Sequence, residues 1–483
     1  MSAAQDGLAY HPGAMRSTTW LSILVAGTLL SACGGASGAS PASSSSPTTA
    51  PPSAAASAAA SPSAKPAASG GVVSAKPAAG AVASGAPFKV GLLEALTGPI
   101  AEIGKDDSAG FALYLESVNN TVAGRQITLD VADTLGQPDT ALAKAKQLVE
   151  NDKVDVLMGL TVSASCYAVA QYVKQAGVPF IASNNCAAQN MMVDPKFKSP
   201  YLIRITQNSS LMADVPAAWA ADQGFKKADI VGVNQGGTLE NTDAFASTFI
   251  KHDGSIVQEL HPSNGTQDYG PIVAQLDRSA DVLMTFLPGT DGIRFFQQYA
   301  DYAGGQKGPQ IIDGYGGNTS GQALAELQAK VAGVVGEDVY SLAIDSPENQ
   351  ALKKAWSAKY PKQALSDDGA KGYTAAEVLA AAVKKVNGDL SDKQKFLQAL
   401  YDTNVQTPRG PIKLDQDHDV ISNAYVWQID KGADGYAQKL LKTYDSLARN
   451  WDRTPQELEK FPYGKLKDKW VGMTKAQLQA LSQ

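Results

Sequence analysis

Cysteine and histidine are scarce in this chain. Its 483 residues hold three cysteines and four histidines. The histidines (His11, His252, His261 and His418) are scattered, and no Cys/His spacing suggests a metal site. No metal and no cofactor is expected. A basic patch is missing as well. The formal net charge is -6, which argues against nucleic acid as a partner. The usual reactive motifs do not occur: no G-x-S-x-G elbow, no H-E-x-x-H, no phosphate loop, and no G-x-G-x-x-G after a strand. Ser163 has no histidine near it in sequence, so a catalytic partner would have to come from elsewhere in the fold. An enzyme is not expected.

Long apolar runs are also absent. Trp20 to Leu30 is apolar and follows Arg16, but it is too short to span a membrane as a finished helix. Charge, apolar core and small residues in that order make a signal peptide over residues 1–32. Met15 is a better start for it than Met1, which would leave residues 1–14 as an extension of the gene model. The signal ends in Leu30-Ser31-Ala32-Cys33, which resembles the lipobox of bacterial lipoproteins. That resemblance implies cleavage before Cys33 and a diacylated Cys33 as anchor, facing the periplasm or the cell exterior. The alternative is an ordinary secretory signal with an incidental Cys33. Residues 33–87 are Ala, Ser, Pro and Gly with almost no large apolar side chain, and SAKPAA occurs twice. Such a segment cannot bury a core. It reads as a tether with a reach of about 40 Å.

The globular part is organised around Asp155 to Asn190. Val156-Leu157-Met158 predicts a buried strand, followed by the small polar stretch Thr161 to Ser165. Ala168, Val169, Tyr172 and Val173 recur at helical spacing, and Gly177 ends that helix. Val178 to Ile181 predicts a second strand, which stops in Ser183-Asn184-Asn185-Cys186. In a β-α-β unit both loops lie at the carboxyl ends of their strands, where open α/β sheets bind ligands. Each is read as leading into a helix whose first N–H groups favour an anion. The plainer reading makes Ser163 and Ser165 mere N-caps. Cys166 and Cys186 sit on these adjacent loops in an oxidising compartment, which allows a disulfide; two free thiols are the alternative.

Strand and helix alternate through the rest, which predicts a parallel, doubly covered sheet. Phe88 to Leu93 opens as a strand. Asp139 to Asn151 reads as a helix capped by Asp139. The pattern restarts near Trp219, with Asp229–Val233, Ser255–Leu260, Asp281–Leu287 and Pro309–Asp313 as strands and a helix over Asn241–Lys251. Val334 to Tyr340 is expected to return to the first lobe. Gly410–Leu414 and Asn423–Ile429 close the chain as a strand pair.

From Phe88 to about Asp430 the chain resembles the type I periplasmic solute-binding proteins of the branched-chain amino acid (Leu/Ile/Val-binding-like) ABC transporter family. The residues that carry this are VGLLEALTGPIAEIG at Val90–Gly104, DVLMGLTVSAS at Asp155–Ser165, GVPFIASNN at Gly177–Asn185, KGYTAAEVLAAAV at Lys371–Val383 and RGPIKLDQDHD at Arg409–Asp419. The tail NWDRTPQELEKFPY at Asn450–Tyr463 is weakly similar to the ends of relatives that carry aromatic or other non-amino-acid carboxylates. The resemblance implies an α/β fold of two Rossmann-like lobes with a multi-strand hinge and a ligand cleft between them. It places lobe 1 at 88–206 plus 340–408, lobe 2 at 207–339 plus 409–449, and an extension at 450–483.

The resemblance also implies ligand residues. Ser163 matches the carboxylate-binding serine, and the loop at Ala164 offers an N–H. Asn184 and Asn185 match positions whose backbone holds the ligand. Cys186 stands where amino-acid binders have a threonine, and a disulfide would remove it as a donor. Ile103 replaces an aromatic wall. Thr238 or Leu239 approximates a tyrosine position, and Pro288-Gly289-Thr290-Asp291 matches another ligand loop. Gly316, flanked by Tyr315 and Asn318, stands where amino-acid binders carry a glutamate for the α-ammonium; Asp291 or Asp313 are the candidates to replace it. The expectation is therefore a monomeric solute receptor for a small organic carboxylate, aromatic acids ahead of amino acids, serving ABC permease and ATPase subunits. It would touch the membrane only through its lipid anchor. The alternatives are a sensory module for a separate membrane partner and a branched-chain amino acid receptor.

Overall fold

The computed structural model describes residues 85–303 and 308–482. The signal, Cys33 and tether readings lie outside the described residues. The first sheet is built from β1 (Phe88–Glu94), β2 (Thr121–Val122), β3 (Arg125–Asp133), β4 (Val156–Gly159), β5 (Phe180–Ala182) and β6 (Leu202–Arg204). Their order is β2-β3-β1-β4-β5-β6, parallel except for the β2–β3 hairpin. Between the strands run α1 (Ala101–Ser117), α2 (Pro138–Lys146) and α3 (Ser163–Ala176). α3 stops at Gly177, whose φ of 67° is the left-handed cap expected of it. α2 departs from expectation. Pro138 takes its first position, where the missing N–H costs nothing, so Gln137 and not Asp139 precedes the helix.

The second half repeats the scheme with α4 (Ser209–Asp222), β7 (Lys227–Gly232), α5 (Gly236–Lys251), β8 (Ser255–Leu260), α6 (Gly270–Val273), β9 (Val282–Phe286), α7 (Thr290–Ala303), β10 (Gln310–Asp313), α8 (Gly321–Leu327) and β11 (Val335–Asp338). Then come α9 (Pro347–Lys359), α10 (Asp367–Lys385), α11 (Lys393–Tyr401), β12 (Asn404–Thr407), β13 (Gly410–Leu414), β14 (Val420–Gly432), β15 (Gly435–Ala448), α12 (Pro455–Lys460) and α13 (Lys475–Ala480). The second sheet runs β12-β13-β14-β11-β10-β9-β7-β8, with β15 on β14. It corrects the expectation of a purely parallel sheet. β11 through β8 are parallel, whereas β11–β14, β12–β13, β13–β14 and β14–β15 are antiparallel. Short loops join β12 to β13 and β13 to β14, and the Gly432/Gly435 turn joins β14 to β15. The β13–β14 pair is the closing strand pair expected from the sequence, whereas the alternation of strand with helix does not foretell β12, β15 or the β11–β14 pairing. β11 also stays inside this sheet rather than returning to the first lobe.

Return to the first lobe is made by α10, which lies across α1. Glycines allow it: a Cβ on Gly110 would stand 1.9 Å from the Gly369 carbonyl oxygen, and one on Gly372 1.9 Å from that of Asp107. Phe111 and Leu115 of α1 then pack with Ala375, Leu379 and Val383 of α10 over Val90 and Leu92 of β1. Where the lobes join, Arg204 at the end of β6 is fully buried against Asp419, with Nε 2.8 Å from Oδ1. The segment after β15 lies on the second lobe. Trp470 Nε1 donates to Asp243 at 2.7 Å, and Arg453 Nε donates to Asp214 at 2.8 Å. Among the described residues no helix is long and apolar enough to cross a membrane.

Candidate functional site

In each sheet one strand has its successors on opposite sides. β1 lies between β3 and β4, and β7 lies between β8 and β9. Helices leaving such neighbouring strands diverge, and the crevice between them is where open α/β sheets take ligands. Here the two crevices face one another. The loops after β1 and β4, with the first turns of α1 and α3 that follow them, supply Ile100, Ile103, Thr161, Val162, Ser163 and Ala164. Those after β7 and β9 supply Gln235 to Thr238, Phe286 and Pro288. Together with Asn185, Ala187, Met212, Asn241 and Tyr315 they enclose a cavity of about 100 Å³.

No charged side chain lines this cavity. Two helices begin at it instead. α3 starts at Ser163 behind an extended Val162, and α5 at Gly236 behind an extended Gln235; neither has a side-chain cap. Their first N–H groups have no partner within the helix, and the positive ends of both dipoles meet in one space. Ser163 is therefore not the N-cap of the plainer reading. Its hydroxyl faces the opposite helix: a Cβ on Gly237 would lie 3.1 Å from Ser163 Oγ.

A second chamber of about 140 Å³ adjoins the first and shares Ile100, Ile103 and Tyr315 with it. It is acidic, with Glu102, Asp106, Asp367 and Asp368 in its wall. Burial pushes the Asp106 carboxyl up to about 6. Burial, and then Asp367, hold Asp368 well above the usual carboxylate range. For Asp367 burial acts upward too, but the Lys371 ammonium and the hydrogen bonds from Ser320 and Lys371 together outweigh it and the group lies low. Lys371 is itself buried, 2.6 Å from Asp338 and 3.0 Å from Asp367. Behind the first chamber, Glu94 accepts from Thr161 Oγ1 at 3.0 Å and from Asn184 Nδ2 at 3.2 Å.

The residues singled out from sequence divide accordingly. Ile103, Ser163, Ala164, Asn185, Thr238 and Tyr315 line the first chamber. Thr290 and Asn318 line the second. The Asn318 amide donates to Leu287 O and Asp313, so it holds its own loop together. Asn184 is fully buried and lines neither chamber. Asn185 Nδ2 donates to Asp368 at 2.8 Å, its Oδ1 accepts from Lys371 Nζ, and its carbonyl oxygen accepts from Ala187 N. Cys186 is bonded to Cys166, with Cα atoms 6.0 Å apart, and both are buried away from the cavity. The loop that carries Cys186 does not lead into a helix; it runs through turns to β6.

Neither candidate substitute for the missing glutamate faces the cavity. Asp291 accepts from Tyr269 Oη and Gly265 N, and Asp313 accepts from Asn318. At Gly316 itself a Cβ would lie 2.3 Å from the Glu337 carbonyl oxygen, so no side chain fits there. Sequence reasoning missed Met212, Gln235, Gly236, Gly237, Asn241 and Phe286. The readable signal is Gly236-Gly237 a few residues after the strand at Asp229–Val233; the helix expected over Asn241–Lys251 begins at Gly236 instead.

Residues 87–434 match the family described as periplasmic binding protein. The chain belongs to that family. Among curated relatives, a Leu/Ile/Val-binding protein homolog 6 of Brucella melitensis is 28% identical over 364 residues, covering 74% of this chain and 91% of that protein. Among solved structures, an ABC transporter substrate-binding protein from Sphaerobacter thermophilus is 27% identical with a TM-score of 0.69, over 75% of this chain and 98% of that one. A solute-binding protein of an ABC transporter from Rhodopseudomonas palustris, in complex with 3,4-dihydroxybenzoic acid, is 26% identical with a TM-score of 0.69 and the same coverage. The two-lobed α/β architecture is thus that of a type I periplasmic binding protein, and the facing crevices are its cleft.

Proposed function

We propose that this periplasmic binding protein captures a small organic carboxylate, aromatic acids first, and delivers it to the permease of an ABC transporter. One observation carries the reading: two uncapped helix starts and the Ser163 hydroxyl converge on a cavity with no charged wall residue. Such a site holds an anion by N–H groups and dipoles. Ile100, Ile103, Val162, Met212 and Phe286 suit a flat apolar body. At about 100 Å³ the chamber is of the order of the roughly 150 Å³ apolar cavity that takes up benzene in an engineered protein. The dihydroxybenzoate in the Rhodopseudomonas palustris relative supports the same class.

An α-amino acid would bring an ammonium, and a buried ammonium without an anionic partner costs several kcal/mol. The branched-chain amino acid reading keeps one favourable observation, the acids beyond Tyr315. Calorimetric titration with benzoate-type acids and with leucine separates the two. Benzoates should bind, and Ser163→Ala should weaken them by about 1.5–3 kcal/mol. Leucine binding with no response to any amine-free acid would overturn the reading.

The binding roles of Ala164, Asn185, Thr238, Thr290 and Tyr315 belong to this proposal, as does closure of lobe 1 (88–206 with 340–408) on lobe 2 (207–339 with 409–449). Asn404–Thr407 pairs within the larger sheet, on the lobe 2 side of that division. No catalysis is part of it. We also propose export and anchoring through an acylated Cys33, since two acyl chains suffice for stable attachment. Cys33→Ser should then move the protein from the membrane to the soluble fraction; a soluble wild type would refute the anchor.

A further inference from the structure

Outside the lining of the cleft, three side chains with metal-ligating atoms meet where the C-terminal segment crosses the second lobe. Glu259 lies at the end of β8, His261 just after it, and Asp468 between α12 and α13. One ligating atom from each lies within 4.8 Å of the others. His261 Nδ1 is 3.0 Å from the Gly232 carbonyl oxygen. A carbonyl only accepts, so Nδ1 carries a proton and donates it. Nε2 then stands 2.7 Å from Glu259 Oε1. In a neutral ring that is a lone pair against a carboxylate. A cation between them, either a proton or a metal ion, removes the repulsion.

A second observation favours the metal ion. Glu259 Oε2 is buried with no hydrogen-bond partner among the described residues, and the Glu259 and His261 side chains are each only 1% exposed. A proton on His261 would satisfy Oε1 and leave Oε2 orphaned, which is costly for a carboxylate. An ion held by both oxygens, or by one with water on the other, would satisfy it. Asp468 is exposed, so it provides both a third ligand and an entry from solvent. We propose that Glu259, His261 and Asp468 form a site for a divalent transition-metal ion of the zinc type.

The chemistry of the set agrees. One imidazole and two carboxylates are zinc ligands, bound at about 2.0–2.2 Å, with a fourth position left for water. The Nδ1–H donated to Gly232 O is the outer contact that commonly orients a ligating histidine. Closing the set on an ion falls mainly to the exposed Asp468 side chain. The matched family region ends at 434, so the third ligand comes from this chain's own extension. The ion would pin that extension to the loop after β8. Pro262 in that loop accepts from Asn234 N at 2.8 Å, and Asn234 precedes the α5 start in the cleft. A metal ion would therefore brace the segment that presents Gly236 and Gly237.

The test uses the full chain, made without a histidine tag and stripped with EDTA. Zinc chloride is titrated calorimetrically, and cobalt(II) by visible absorption. One ion per chain is expected, with cobalt bands typical of low coordination number. Asp468→Asn alters an exposed side chain and should fold; it should weaken zinc by about tenfold or more. His261→Gln should remove the cobalt bands, while His252→Gln, a control on the other side of the extension, should leave them unchanged. No bound ion in the wild type would overturn the proposal. So would Asp468→Asn and His261→Gln binding as the wild type does, and His261 would then be an imidazolium paired with Glu259. If His261→Gln does not fold, Asp468→Asn alone decides.

Discussion

Glu94 and Asp107 are both carboxyl groups, both fully buried, and close enough for Asp107 to raise the hold of Glu94 on a proton. Two buried carboxylates side by side repel, so one of them favours its protonated form. Glu94 Oε1 and both Asp107 oxygens find no hydrogen-bond partner among the described residues, and a proton shared between the two groups would satisfy Glu94 Oε1 and one Asp107 oxygen. Burial, and then Asp107, hold Glu94 well above its usual range, and burial pushes Asp107 up to about 7. The pair sits behind Thr161 and so behind the first chamber. None of this was legible in the sequence, because Glu94 ends a strand and Asp107 lies in a helix, each ordinary in its local setting. Ser163 and Ala164 were legible, since small polar residues between a strand and a helix mark a crevice whatever the rest of the chain does. Asn184 and Cys186 were placed one shell too near the ligand. Their loop runs under the cavity floor, and pattern alone does not give that depth.

At the scale of elements, the first half of the chain was the more readable. Apolar runs of four or five residues separated by helical periodicity leave little choice but a parallel sheet. Of the closing hairpins, the β13–β14 pair was readable and β15 was harder, because β15 mixes charged and apolar residues on a strand half open to water. The start of α5 was missed because two glycines suppress the helical signal. Those glycines have a reason. α5 faces α3 across the cavity, and Gly237 leaves only the room that the Ser163 hydroxyl needs. Gly237→Ala adds a methyl 3.1 Å from Ser163 Oγ and 3.4 Å from Ser163 Cβ. The φ of Gly237 is not in the left-handed region, so alanine suits the helix itself. The expected outcome is unchanged or slightly higher thermal stability with solute affinity reduced about tenfold or more, as contact between the lobes is pushed apart. Calorimetric titration beside a melting curve checks this; full affinity in the alanine variant would mean that the two helix starts do not grip one solute.

Over the whole molecule, the junction of the lobes is unusually rich in buried acids that favour their protonated form. Burial pushes Asp106 up to about 6, and Asp107, Asp313 and Asp338 up to about 7. Glu337, raised by burial and then by Asp338, lies well above its range. Unfolded, these groups titrate near 4. Between about 4 and 7 the folded chain therefore binds more protons than the unfolded one, and stability falls as pH rises through that window. Asp367, held low by Lys371 against its burial, works in the opposite sense and loses its contribution as pH falls. It is one group against several. The melting temperature should accordingly be higher at pH 5.5 than at pH 8 at fixed ionic strength, the reverse of a protein held by ionised carboxylates in salt bridges. Asp107→Asn offers a sharper check. A carboxamide keeps the shape and can donate to Glu94 without taking up a proton, so the variant should be at least as stable as the wild type at pH 8 and show a shallower decline with pH. Calorimetric melts of both proteins at the two pH values decide it. A wild-type melting temperature that rises with pH would show that these acids are ionised in the folded chain, and that Lys371 and Arg409 neutralise more of them than their contacts suggest.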